Sequence, residues 1–172
     1  LVPEVVQAIA GSGVPVLAAG GIATGGQMAA AMAMGAAGAW CGSVWLTTAE
    51  AETNPVVKEK MLAASSRDTV RSRSRTGKPS RQLVSAWTEA WEGKAAPTPL
   101  PMPLQTLVSE PALHRIDQIS LTGHTGAQDL ATYWVGQGVG LMNQTMSAGA
   151  VVQQFKEEFL TAYERLGSLL EA

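Results

Sequence analysis

The sequence predicts an α/β fold: a parallel strand pair early in the chain, followed by a mainly helical remainder. Three observations carry this. Residues 15–43 read as strand, glycine turn, helix, short strand and glycine turn. No charged residue occurs between Glu4 and Glu50, as expected of a parallel sheet buried on both faces. From Glu50 onward charge returns, and caps, prolines and helical apolar spacings take over.

The elements follow in order. Pro3 suits the first turn of a helix running to about Ala10, ended by Gly11. Pro15 to Ala19 is a short apolar run stopped by Gly20-Gly21, the pattern of a buried strand. Thr24 caps a helix from Gly25 to about Met34, and Gly35 ends it in the left-handed conformation open to glycine. Ala39 to Cys41 is the second buried strand, closed by Gly42-Ser43, and Val44 to Thr48 makes a helical turn. Glycine turns of this kind let backbone N–H groups approach a phosphate closely.

Asn54-Pro55 pairs an N-cap with a proline at the first helical position, so a helix is expected to about Ala64. Ser80 is expected to cap a helix to Glu92, with Leu83, Val84, Trp87 and Trp91 on one face. Pro97, Pro99, Pro101 and Pro103 favour extended chain. Gln105 to Ile119 reads as helix, kinked or restarted at Pro111. A polar turn separates it from a further helix over Ala127–Val135. The last helix carries Val151, Val152, Phe155, Phe159, Tyr163, Leu166 and Leu170 at spacings of three and four, with charges mostly between them.

The residues of the first glycine-rich stretch support a more specific reading. Ala18 to Ile22 matches A-[AG]-G-G-I, and Gly35 to Trp45 matches G-A-x-G-[VA]-x-x-G-[ST]-x-[FW]. Both motifs are similar to the last two β/α units of the nitronate monooxygenase family, also called 2-nitropropane dioxygenases. The Gly136–Leu141 run is also family-like. The resemblance implies the C-terminal part of an FMN-dependent TIM barrel, with its seventh and eighth strands here and the FMN phosphate on backbone amides of Gly20, Gly21, Gly42 and Ser43. It implies barrel residues 1–48, an inserted mainly helical subdomain over 49–126, and C-terminal helices over 127–172 returning to the barrel. A closed barrel takes roughly 250 residues, whereas the chain has 172 and opens Leu1-Val2-Pro3-Glu4 without Met. A missing N-terminal barrel part is therefore expected, and the chain alone is expected to be inactive.

Composition narrows the chemistry. A formal charge of −2 gives no general attraction to nucleic acid or membrane, and repeated glycines and prolines interrupt the uncharged stretch as a membrane helix would not tolerate. The single Cys41 permits no internal disulfide, fits a reducing, cytoplasmic compartment, and reads as a small core residue. His114 and His124 read as a helix face and a solvated turn. No metal-ligand spacing occurs, so no metal site is expected. The family's catalytic histidine lies in an upstream motif that neither histidine matches, so no catalytic residue is assigned.

The other chemical signal is Arg67–Arg81, with five Arg and one Lys against Asp68. Arg71, Arg73 and Arg75 alternate and would point one way in extended chain. They are candidate ligands for an anionic substrate such as an acyl-CoA, or for the phosphates of NAD(P)H. The same segment is compatible with a solvated loop. Met28, Met32, Met34 and the Trp87–Trp91 pair read as packing residues. Two function classes follow: a flavin oxidoreductase acting on nitronates or acyl thioesters, and a non-enzymatic helical binding module on a barrel remnant.

Overall fold

The computed structural model describes residues 1–169, which fall into two compact units. Leu1–Ala51 and the chain from Thr145 form the first; Glu52–Gln144 form the second. The observed boundaries differ from the expected ones, because residues 127–144 stay with the second unit.

In the first unit, α1 (Val2–Ala8) precedes β1 (Leu17–Ala19), α2 (Gly25–Ala33), β2 (Gly38–Trp40) and α3 (Ser43–Leu46), and the chain closes with α8 (Ala148–Ser168). β1 and β2 are parallel, with Leu17 beside Gly38 and Ala19 beside Trp40. This is the expected pair of barrel units. Thr24 and Gln27 form a reciprocal capping box at the start of α2. Gly35 takes φ +98° after its end, over the Val6 side chain. The core is small: Ala18, Ala31 and Ala36, with Val2 and Ile22 against it.

Within this chain the strands are only partly covered. Leu17 and Ala19 are exposed on either side of buried Ala18, and Trp40 is 69% exposed. Each strand has one partner among the described residues.

α8 packs along α2. Val151 is buried, Phe155 and Phe159 are half-buried, and Tyr163 and Leu166 are exposed; Leu170 lies outside the described residues. The helices touch at Gly25, where an added Cβ would lie 1.9 Å from the Phe155 carbonyl oxygen. The Gly25 N–H donates to Glu158 Oε2 at 2.7 Å. Where the chain leaves and rejoins this unit, the Ala49 N–H bonds the Met146 carbonyl at 2.9 Å. The Ala148 N–H bonds the Glu50 carboxylate at 2.8 Å.

The second unit holds α4 (Pro55–Ala63), β3 (Thr69–Ser72), β4 (Ser80–Leu83), α5 (Ala86–Glu92), α6 (Leu104–Ser120), α7 (Thr125–Leu130) and a 3-10 helix (Gln137–Leu141). Asn54 caps α4 through the Val56 N–H, as expected. Three expectations need correction, and of the two alternatives at Pro111 the restart does not occur. Residues 69–83 form an antiparallel hairpin and not a loop. Ser80, Leu83 and Val84 therefore do not belong to a helix; Ser85 is the cap of α5. α6 runs unbroken through Pro111. α7 stops at Leu130, because the chain then extends to pair with β4: the Leu83 N–H bonds the Tyr133 carbonyl at 3.0 Å, and the Val135 N–H bonds that of Arg81 at 3.2 Å.

One face of the hairpin is polar yet buried. Gln82 is fully buried, accepting from Ser74 Oγ and donating to Ser80 Oγ, each at 3.3 Å. Gln105 of α6 donates to the Ser74 carbonyl at 2.7 Å and accepts from the Leu100 N–H at 2.9 Å. Burial is tolerated because these groups find partners.

Candidate functional site

Because β1 and β2 are parallel and in register at Ala19 and Trp40, the turns that follow them emerge at the same end of the sheet. Gly20 and Gly21 hold φ +109° and +72°, a region side chains rarely occupy. Gly42 differs. Its φ of −115° is open to any residue, and a Cβ there would meet nothing within 4 Å. The same open space lies beside Gly20 and Gly21. Neither backbone geometry nor packing within the chain therefore requires glycine at Gly42. The N–H groups of Gly21 and Gly42 meet no protein acceptor among the described residues. Trp45 braces the second turn, its indole N–H donating to the Cys41 carbonyl at 2.9 Å.

The start of α2 is already engaged. The Ala23 and Thr24 N–H groups bond Gln27 Oε1 at 2.8 and 3.2 Å, Gln27 N–H bonds Thr24 Oγ1, and Gly25 N–H bonds Glu158. An anion at this end of the sheet would meet the two glycine turns instead. These residues fit a phosphate: small, open at the Cβ positions and supplied with amide donors.

Cys41 lies just beyond β2 and is half-buried within this chain. It lines an apolar cleft of about 410 Å³ with Met28, Trp40, Trp45 and Phe155. Burial pushes its thiol pKa up, which disfavours the nucleophilic thiolate.

The three arginines separate. Arg75 is 7% exposed and bonds Glu110 through two nitrogens at 2.8 and 3.2 Å. Its guanidinium lies 3.8 Å from the Trp134 ring centre. Arg75 thus holds β3–β4 to α6 and is not turned to a ligand. Arg71 and Arg73 are exposed and line one cleft of about 450 Å³ with Pro79, Trp91, Glu92 and Pro99. Trp87 is packed as expected, but Trp91 reaches this cleft; its ring lies 5.9 Å from that of Trp87.

The histidines are accounted for locally. His124 Nδ1 accepts from the Ala127 N–H at 3.2 Å and caps α7, while exposed His114 contacts Gln118 at 3.1 Å. Among the described residues no cluster of three or more His, Cys, Asp or Glu converges. No described helix is long and apolar enough to cross a membrane.

Known proteins agree with this architecture. The chain is 58% identical over 99% of its length to "Putative monooxygenase Rv1533" of Mycobacterium tuberculosis, covering 45% of that protein. It is 39% identical over 92 residues, 54% of its length and 26% of the relative's, to a hydroxy-methyl-oxo-octahydro-indene-carboxyl-CoA dehydrogenase of the same organism. Among solved structures, nitroalkane oxidase from Streptomyces ansochromogenes superposes with a TM-score of 0.79 at 31% identity, over 96% of this chain and 44% of that one. The chain thus spans under half the length of these relatives, and its mixed helices and strands are part of a TIM-barrel enzyme fold. The family model for nitronate monooxygenase matches residues 1–158, and the chain belongs to the nitronate monooxygenase family.

Proposed function

We propose that the full-length protein carrying this chain is a flavin-dependent oxidoreductase of the nitronate monooxygenase type, with FMN as its flavin. The carrying observation is the pair of glycine turns at one end of two parallel strands, with the Gly42 Cβ position open. Gly20, Gly21, Gly42 and Ser43 would donate backbone N–H groups to the phosphate. Bound flavin would supply the redox chemistry. This chain's part is to anchor and orient it, with α8 bracing α2 behind the turns. The second unit is read as an insertion between β2 and α8, and an alkyl nitronate oxidised with dioxygen is the first substrate reading.

A second reading takes a CoA thioester as substrate, with NAD(P)H as a candidate donor. The exposed Arg71–Arg73 pair and the similarity to a carboxyl-CoA dehydrogenase favour it. Oxygen uptake with a nitronate, against NADH consumption with an acyl-CoA, separates the two.

The flavin assignment is tested at Gly42. At Gly42 the φ of −115° suits any residue and a Cβ meets no atom of this chain within 4 Å, so Gly42→Val should leave this turn's backbone in place. It should weaken FMN binding about tenfold or more, the equivalent of roughly one hydrogen bond. Flavin absorbance per mole of purified protein reads the effect. Stoichiometric flavin in the variant would remove the assignment of this turn, and a wild-type protein without flavin would favour the non-enzymatic binding module.

A further inference from the structure

We propose that the cleft in the second unit binds an adenosine diphosphate group, the part shared by CoA thioesters and nicotinamide dinucleotides. The inference deepens the oxidoreductase reading by giving its substrate or electron donor a place to attach. It begins from charge that the chain leaves unneutralised. Arg71 stands directly opposite Arg81 across the β3–β4 ladder, so the two side chains share a face, and like charges so placed oppose folding. Among the described residues Arg71, Arg73 and Arg81 form no ion pair, whereas Arg75 is paired with Glu110. A bound anion would offset this repulsion.

The cleft is also built to hold a shape. Arg73 Nε donates to the Gly77 carbonyl at 2.8 Å, which fixes the guanidinium and leaves its terminal nitrogens for a ligand. Gly77 takes φ +81°, and a Cβ there would lie 2.2 Å from the Leu100 carbonyl oxygen. The hairpin turn is thereby held against the proline segment that contributes Pro99. Trp91, backed by Trp87, lines the cleft with Pro79 and Pro99. Two guanidinium forks match phosphate oxygens, and an indole flanked by prolines offers a stacking surface for a planar base. The volume of about 450 Å³ lies in the range of small-molecule sites, about 300–1,000 Å³. Glu92 is the one acidic group lining the cleft; its carboxylate opposes phosphate and can accept from ribose hydroxyls.

The two signs of charge make the test discriminating. ADP is titrated calorimetrically into the purified full-length protein, followed by CoA and by NADPH, with flavin content recorded alongside. Arg71→Gln, which breaks no side-chain hydrogen bond among the described residues, and the Arg71→Gln/Arg73→Gln pair should weaken ADP binding, the pair by about tenfold or more. Glu92→Gln should tighten it, and added salt should shrink all three effects. CoA binding without NADPH binding would assign the handle to the substrate, and the reverse to the donor; either supports the site. Wild-type protein that binds none of the three ligands, or arginine variants with wild-type affinity, would overturn the proposal. Failure of the flavin reading would show separately, as absent flavin absorbance.

Discussion

Gly25→Ala gives a sharp test of how the first unit is assembled, because Gly26→Ala provides a control one residue away. At Gly25 the added Cβ would lie 1.9 Å from the Phe155 carbonyl oxygen and 2.8 Å from the Phe159 nitrogen, both backbone. Restoring a tolerable 3.0 Å requires α2 and α8 to part by about 3.0 − 1.9 = 1.1 Å. That movement stretches the 2.7 Å Gly25–Glu158 hydrogen bond beyond useful length. Loss of this charge-assisted bond costs about 1.5–3 kcal/mol, and overpacking typically costs about 1–3 kcal/mol. Together they amount to about 2.5–6 kcal/mol. At Gly26 a Cβ meets nothing within 4 Å, and Ala there should stabilise by about 0.4–1 kcal/mol through the unfolded chain. For a chain of 172 residues each kcal/mol moves Tm by about 2–4 °C, so Gly25→Ala should lower Tm by about 5 °C or more while Gly26→Ala leaves it level or slightly raised. Thermal unfolding followed by circular dichroism reads both. Equal Tm values for the two variants would refute the close α2–α8 contact.

Two further outcomes are expected in the second unit. Arg75→Met should cost about 2–4 kcal/mol, since it breaks a largely buried ion pair whose Glu110 partner is half-exposed and thus partly screened; ADP affinity and flavin content should stay unchanged, and a weakened ADP isotherm in a folded variant would return Arg75 to the cleft. Asp117 has its carboxyl pKa raised by burial, against the favourable charges of Arg75 and His114 and with Glu110 adding to the rise. A carboxyl raised in the folded state contributes most below its unfolded pKa, and that contribution is lost as pH rises through the folded pKa. Asp117→Asn should therefore match or exceed wild-type stability near pH 7 and lose that advantage on acidification, as urea midpoints across pH would show; a growing advantage at low pH would contradict the burial argument.

What could be read from sequence was read from residues with backbone roles. Thr24, Gly35, Asn54 and Pro55 mark helix ends through local geometry, and each stands where its chemistry put it. The glycine turns and their family likeness were legible for the same reason. The β3–β4 hairpin was not. Its buried face carries Ser72, Ser74 and Gln82, whose burial depends on partners from Gln105 and neighbouring serines. No hydropathy pattern announces such a face, and Ser80 offered a plausible cap instead. Arg75 was misgrouped because alternation describes direction along a strand, while β3 ends at Ser72. Its partner Glu110 lies 35 positions away. Trp91 sits at ordinary helical spacing from Trp87, and only the fold turns it to the cleft.

The paired exits of the first unit have a consequence for how such proteins vary. Ala49 and Met146 are hydrogen-bonded neighbours, and Glu50 secures Ala148 beside them. Everything between leaves and returns through one doorway. Closing a longer excursion from the same two points costs little, roughly 0.6 kcal/mol for each doubling of length. The intervening segment is thus free to grow, shrink or be exchanged while β2 and α8 keep their places. A short peptide bridging Ala49 to Met146 would serve as a splice, making this junction a natural site for exchanging the second unit.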